Sequence, residues 1–265
     1  MLGVSTYAYF WRGSPGNPRM LTLPEMIDDA ASLGVGLLQI CDHPFLDSAS
    51  PHELEGLRRR SAEAGVALEI GTRGVGRGHL RRYLRIAERL DASLVRSMVK
   101  PAVTSPDSAA VRLREVMPEF ERAGVHLSLE TYEQLQVDEL VGIVEQVGHP
   151  MLGITVDPGN CVAALEHPCT VVEKAAPYAN SVHVKDFAFS RNEGWVGFIY
   201  SGARLGEGLL DYTHLLDVVQ PEQRGINQVL EHWLPWQSGS ETTDAVEREW
   251  TLHGVDYMRR KNDHQ

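Results

Sequence analysis

Four short apolar runs in this chain of 265 residues each stop at a residue that can bind a divalent metal ion. We interpret the runs as β-strands, and the residues at their ends are Glu130, Asp157, His183 and Glu231. Three carboxylates and one imidazole suit Mn²⁺ or Mg²⁺, with Co²⁺ and Zn²⁺ as further options. Ligands at the ends of different strands indicate a metal site at the mouth of a parallel barrel.

Strands alternate with helices along the whole sequence, which predicts βαβ units and a parallel sheet. The eight predicted strands are residues 2–9, 37–41, 66–70, 92–98, 125–130, 151–156, 181–184 and 225–230. Several are continuously apolar, as expected for strands covered on both faces. Eight units predict one (β/α)8 TIM barrel over residues 1–265. An open doubly wound sheet is the alternative, and it is disfavoured because no Gly-x-Gly-x-x-Gly follows the first strand.

The helix ends carry their own signals. Ser50-Pro51 and Ser105-Pro106 predict helix starts, because Ser caps a helix and Pro suits its first turn. Gly65 and Gly124 predict the ends of the same two helices.

Composition restricts the class of protein. The net charge is −11, which argues against a nucleic-acid partner, since phosphate binding needs a basic surface. Three cysteines give no disulfide framework, and a reducing cytosol is the simpler interpretation. The first residues predict a strand rather than a signal peptide, and no apolar run approaches the ~18 residues of a membrane span. We therefore expect a cytoplasmic protein without a membrane partner.

Residues 185–210 form the longest predicted connection and include Trp195, Phe198 and Tyr200. A long aromatic loop over a barrel mouth is typical of a lid or of a contact between subunits. A homo-oligomer is an expectation for barrels of this kind.

Five short motifs together resemble the sugar phosphate isomerase/epimerase superfamily of xylose isomerase-like barrels. They are Leu-Glu130-Thr-Tyr, Val-Asp157-Pro-Gly-Asn160, His183-Val-Lys-Asp186, Leu-Gly-Glu-Gly208 with Asp211, and Leu-Glu231-His. The resemblance covers nearly the whole chain. It implies that Glu130, Asp157, His183 and Glu231 bind the metal. In the epimerase branch, the two Glu ligands also act as acid and base on opposite faces of the sugar.

The chain departs from the epimerase pattern at two places. Asn160 stands where many ketose epimerases carry His, and Asp186-Phe-Ala-Phe stands where they carry Arg, with Arg191 further on. Both departures weigh against simple ketose epimerisation. The abasic-site endonucleases of the superfamily use many more His ligands than this chain offers.

Further residues are candidates for catalysis or for contact with the substrate. Lys185 follows His183 by two and shares its side of the strand, so it could neutralise a developing enolate or pair with a neighbouring acid. Arg96 lies in an apolar strand, where an unpaired charge is costly, and Arg204 could reach an anionic substrate. Tyr7, Gln39 and Asn160 could bind substrate hydroxyls, and core packing is an equal alternative for Tyr7 and Gln39.

The resemblance implies chemistry through an enediolate next to a carbonyl. A metal-dependent isomerase or epimerase of a ketose or related carbohydrate ranks first, because such activities are frequent in the superfamily. The alternative is a metal-dependent decarboxylase of a 3-oxo sugar acid. The segments Tyr-Ala-Tyr-Phe-Trp and Glu-His-Trp-Leu-Pro-Trp resemble the 3-oxo-isoapionate type of that branch. A barrel that binds sugar without turning it over is the second alternative.

Overall fold

Eight parallel strands close into a barrel in the computed structural model, which describes residues 1–263. The strands of this described part are, in chain order, β1 (Leu2–Ser5), β2 (Leu37–Cys41), β3 (Ala67–Gly71), β4 (Leu94–Ser97), β5 (His126–Glu130), β6 (Leu152–Val156), β7 (Ala179–Val184), β8 (Phe187–Arg191), β9 (Phe198–Gly202) and β10 (Asn227–Leu230). The barrel runs in the order β1-β10-β7-β6-β5-β4-β3-β2, and β8 pairs with β9 outside it. The predicted TIM barrel is confirmed, and the open sheet is wrong.

A layer of helices covers the barrel. The α-helices are α1 (Leu23–Ser32), α2 (Pro44–Ser48), α3 (Pro51–Ala64), α4 (Arg77–Leu90), α5 (Pro106–Ala123), α6 (Val137–Val147), α7 (Pro158–Cys161), α8 (Pro168–Ala175), α9 (Tyr212–Val219) and α10 (Ser240–Asn262). The predicted caps are confirmed for α3 and α5: Ser50 and Ser105 accept backbone N–H groups at the helix starts, and Gly65 and Gly124 end the helices at a φ of 68°.

Apolar side chains from the strands and the inner helix faces form the main core. The inside of the barrel is different, because polar side chains from opposite walls meet there. Gln39 on β2 hydrogen-bonds His183 on β7, and Glu69 on β3 accepts a hydrogen bond from Asn227 on β10. These groups are buried or half-buried, so they depend on one another for hydrogen bonds. Within residues 1–263, no helix is long and apolar enough to cross a bilayer.

Two predicted segments differ from the structure. The first strand ends at Ser5, and residues 6–9 form a 3-10 helix because the Ser5 hydroxyl accepts the Tyr7 N–H and caps that turn. The 185–210 connection contains the antiparallel hairpin β8–β9, which the sequence analysis treated as loop. Aromatic side chains of the hairpin, such as Phe189, Trp195 and Phe198, are exposed. Its role as a lid or subunit contact stays a prediction.

Glu247 on α10 connects the last helix to the segment after β1 through hydrogen bonds. Its carboxylate accepts the backbone N–H groups of Trp11 and Arg12 and the Arg12 side chain, at 2.7, 3.0 and 3.2 Å. Both side chains are buried, so the pair is held in a low dielectric where each charge depends on the other.

We expect Glu247→Ala to lower the free energy of unfolding by about 3 kcal/mol, because it leaves the buried Arg12 charge without its main partner. Urea denaturation measures the change. Glu241→Ala, at an exposed carboxylate in the first turn of the same helix, is the control and should change stability little. Equal effects of the two variants would contradict this account.

Candidate metal centre and active site

Glu130, Asp157 and His183 meet at the C-terminal mouth of the barrel. Glu130 ends β5, Asp157 directly follows β6, and His183 lies in β7, so three neighbouring strands supply the side chains. All three are buried, and one ligand atom from each lies within 4.8 Å of the others. His183 Nδ1 is 3.5 Å from Glu130 Oε1 and 3.4 Å from Asp157 Oδ2. Atoms ~2.1 Å from a shared tetrahedral ion are separated by about this distance.

Glu231 approaches the same group from β10, with Oε2 at 3.6 Å from His183 Nδ1. Glu231 Oε1 and His183 Nδ1 are both buried and have no hydrogen-bond partner among residues 1–263. A buried polar atom without a partner is costly, and a cation between these atoms removes that cost. The donor set of carboxylate oxygens and one imidazole nitrogen therefore fits a divalent metal ion.

Two buried cations pair with the carboxylates. Arg96 Nε lies 2.9 Å from Glu130 Oε2, and Lys185 Nζ lies 2.8 Å from Asp157 Oδ2 and 3.3 Å from Glu231 Oε2. Burial alone would raise the pKa of Asp157, but Lys185 and His183 hold it below its ordinary value. Burial would also raise the pKa of Glu231, but His183 and Lys185 hold it below its ordinary value. Both carboxylates are therefore ionised at neutral pH.

His183 is oriented by hydrogen bonds from below the site. Its Nε2 is 2.8 Å from Gln39 Oε1, and the Gln39 amide donates to Glu69 at 2.8 Å. The Gln39 oxygen must then accept, so Nε2 carries a proton and Nδ1 faces the carboxylates. Burial lowers the pKa of His183, but Glu231 and Glu130 together with Asp157 raise it to about 10. A metal ion at Nδ1 would therefore displace a proton.

A cavity of about 410 Å³ opens above these groups. Its lining contains predicted site residues, namely Tyr7, Arg96, Glu130, Asn160, Lys185 and Glu231. Asn160 also donates hydrogen bonds to Glu130 Oε1 and Asp157 Oδ2, at 2.8 and 3.1 Å, so it ties the carboxylates together. Gln39 lies beneath the cavity, beside His183. Arg204 does not line it, since its guanidinium pairs with Glu207 and Glu249.

Three charged residues near the cavity were missed by the sequence analysis. Asp42 follows β2, and its Oδ2 accepts from Tyr7 and contacts Arg73 and Arg96. Glu69 lies inside the barrel below His183, and its only sequence signal is a carboxylate within an apolar strand. Arg73 had no signal, because an Arg after a strand end resembles any solvated loop charge.

The motif around Asp186 has a structural role in the loop 203–210. One Asp186 oxygen accepts the Gly206 and Gly208 N–H groups, and the other accepts those of Phe187 and Leu210. A side chain at Gly208 would overlap the Asp186 carboxylate, so glycine is required there. The Leu-Gly-Glu-Gly segment therefore closes around Asp186 beside the site.

A closed eight-stranded barrel with carboxylates and histidine at its mouth defines the class of protein. The family model described as xylose isomerase-like TIM barrel matches residues 27–261, and the chain belongs to this family.

One relative by sequence and two solved structures with the same fold illustrate the range of similar proteins. The chain is 48% identical over 263 residues to a 3-oxo-isoapionate decarboxylase of Pectobacterium atrosepticum, covering 98% of this chain and 96% of the relative. A D-psicose 3-epimerase of Clostridium cellulolyticum H10 superposes with a TM-score of 0.74 at 16% identity over 98% of each chain. A Mycobacterium smegmatis xylose isomerase-like protein in complex with magnesium superposes at 0.71, with 19% identity over 96% of each chain.

We expect Gln39→Leu to weaken Mn²⁺ binding by about 10–100-fold, because His183 then loses the hydrogen bond that fixes its tautomer and orientation. Calorimetric titration with Mn²⁺ measures the affinity. Gln223→Leu, at an exposed position, is the matched control and should bind as the parent does. Unchanged affinity of the Gln39 variant would show that His183 is not a ligand oriented in this way.

His232 directly follows Glu231 and is buried, with Nε2 at 3.1 Å from the Thr251 hydroxyl. Burial, helped by Arg12, lowers its pKa to about 3. Above its ordinary pKa of ~6.5 the residue is neutral in both the folded and the unfolded chain. Below that pH, His232 is protonated in the unfolded chain but stays neutral in the folded protein. The free energy of unfolding therefore falls as the pH falls towards 3.

Between pH 7 and pH 5, this effect lowers the free energy of unfolding by about 2 kcal/mol. His232→Gln should remove it, so the loss of stability between pH 7 and pH 5 should be smaller in the variant by that amount. Urea denaturation at both pH values measures the difference. His52→Gln, at an exposed histidine, is the control. Parallel pH profiles for His232→Gln and the parent would refute the assignment.

Proposed function

We propose that this protein is a metal-dependent decarboxylase of a 3-oxo sugar acid of the 3-oxo-isoapionate type. The first support is its relative in Pectobacterium atrosepticum, which carries that activity in its name and matches over nearly both full lengths. This reverses the ranking of the sequence analysis, which put isomerisation or epimerisation first. Glu130, Asp157, His183 and, as a fourth ligand, Glu231 hold the divalent ion, with Mn²⁺ or Mg²⁺ as the best candidates.

The observation that carries the proposal is the pairing of both glutamates with buried cations. An epimerase needs one carboxylate to take a proton from carbon and another to return it. Here Glu130 lies against Arg96, and Glu231 lies against Lys185. Burial would raise the pKa of Glu231, but His183 and Lys185 hold it below its ordinary value, which makes this carboxylate a weaker base. Decarboxylation needs no such base, because the electrons that form the enolate come from the bond to the departing CO₂.

The chain's own groups account for each step of that reaction. When bound, the divalent ion would supply Lewis-acid polarisation of the substrate carbonyl. The bond between the carboxyl carbon and C2 breaks, its electron pair moves towards the C3 carbonyl, and CO₂ leaves. Lys185 holds a proton at Nζ beside the cavity, because Asp157 and Glu231 raise its pKa against the effect of burial. We assign Lys185 as the donor that protonates C2, after which solvent reprotonates the amine.

Ketose epimerisation is the second candidate. Its support is the placement of Glu130 and Glu231 on β5 and just after β10, on two sides of the cavity. The sugar epimerases among the structural neighbours are under 25% identical and share the fold alone. A barrel that binds sugar without catalysis is the third possibility, and the same experiment separates all three.

We expect the Mn²⁺-loaded protein to release one CO₂ per 3-oxo-isoapionate consumed. Lys185→Met should lower kcat by about 10²–10⁴-fold through loss of the proton donor. Lys174→Met, at an exposed lysine paired with Asp138, is the control and should keep the parent rate. Carbon dioxide is measured directly, and ketoses are followed in D₂O by NMR.

Proton exchange in ketoses without CO₂ from the oxo acid would replace the proposal by epimerisation. Binding of the oxo acid with neither reaction would replace it by the non-catalytic alternative.

A further inference from the structure

Arg73 is a cation at the cavity wall that the proposed reaction leaves without a role. It follows β3 by two residues, and β3 lies four strands from β7 in the ring of eight. Arg73 therefore stands on the side of the mouth opposite His183 and Lys185. It lines the same cavity as Lys185 and Glu231, and its side chain is 43% exposed.

The Arg73 guanidinium is held in place by two neighbours. Its Nε is 3.1 Å from Asp42 Oδ2, and its Nη2 donates to the Tyr7 hydroxyl at 2.9 Å. Tyr7 in turn donates to the same Asp42 oxygen at 3.1 Å. Within residues 1–263, Nη1 of Arg73 makes no hydrogen bond. A fixed guanidinium with a free edge is suited to binding a carboxylate.

Asp42 is the carboxylate partner of two arginines, Arg73 and Arg96. Asp42 Oδ2 also lies 3.3 Å from Arg96 Nη2, so one carboxylate serves two guanidinium groups. Arg96 has a second partner in Glu130, which also belongs to the metal-binding cluster. Arg73 has no second carboxylate among the described residues. Asp42 reaches both arginines from a left-handed backbone conformation, with φ at 49°, which is uncommon outside glycine.

We infer that Arg73 binds the carboxylate of the substrate and thereby selects oxo acids over neutral ketoses. This inference rests on the proposed function and assigns one further residue to it. The carbonyl end of the substrate lies at the glutamates and His183, and its carboxylate lies at Nη1 of Arg73. Arg96 is not free for this task, because it already pairs with Asp42 and Glu130, and Lys185 is the proposed proton donor.

The test compares Arg73→Met and Arg73→Lys with Arg77→Met, an exposed arginine of the following helix that pairs with Glu115. Steady-state rates give KM and kcat for 3-oxo-isoapionate on the Mn²⁺-loaded protein. Calorimetry gives the affinity for two probes. The first is isoapionate, which has a hydroxyl in place of the oxo group and cannot lose CO₂. The second is the neutral ketose that remains when CO₂ is lost.

We expect Arg73→Met to raise KM at least about tenfold and to weaken isoapionate binding equally, as loss of a charged hydrogen bond does. The value of kcat should stay within about threefold, and ketose binding should not change. Arg73→Lys should recover part of the affinity, since it keeps the charge without the planar fork. Arg77→Met should match the parent.

Two results would overturn the inference. One is unchanged KM and unchanged isoapionate affinity in Arg73→Met. The other is an equal loss of affinity for isoapionate and the ketose, which would mean that Arg73 only supports the cavity wall. If the parent releases no CO₂, the proposed function fails, but the isoapionate titrations still decide whether Arg73 binds a carboxylate.

Discussion

Burial of several like charges at one barrel mouth is the constraint on which the rest of this structure depends. Glu130, Asp157 and Glu231 lie together in a low dielectric, where unpaired carboxylates would be very costly. The chain offsets this by placing Arg96 at Glu130 and Lys185 between Asp157 and Glu231. The two cations are 1% and 2% exposed, so solvent screens these pairs little.

This charge arrangement links the fold to the chemistry. His183 and Lys185 hold the pKa values of Asp157 and Glu231 below their ordinary range, so these two carboxylates stay ionised, which suits them to binding a divalent ion and makes them poor bases. His183 completes the donor set because the Gln39–Glu69 chain inside the barrel fixes its ring. The same fixed geometry supports the proposed reaction, in which the substrate supplies the electrons by losing CO₂. In that proposal the site stabilises an intermediate and does not move protons between two carboxylates.

The sequence predicted the barrel and a group of residues placed where they could hold a metal, because both follow from local patterns. Alternating strands and helices, Ser-Pro starts and Gly ends gave the fold, and a ligating residue at each strand end located Glu130, Asp157 and His183. Partners across the barrel leave no such pattern. Gln39 was predicted to contact substrate or to pack in the core, and its hydrogen bond to His183 across the barrel had no sequence signal. Arg73 and Asp42 were missed, because only closure of the barrel brings their loops to the cavity.

The most direct test of the metal centre is anomalous diffraction from crystals grown with Mn²⁺ and recorded at the manganese edge. The account predicts one strong peak within about 2.0–2.3 Å of His183 Nδ1 and of oxygens from Glu130, Asp157 and Glu231. It also predicts that Lys185 moves away from the Asp157 oxygen that the ion then occupies. A peak elsewhere, or no peak with the Lys185–Asp157 pair intact at saturating Mn²⁺, would contradict it.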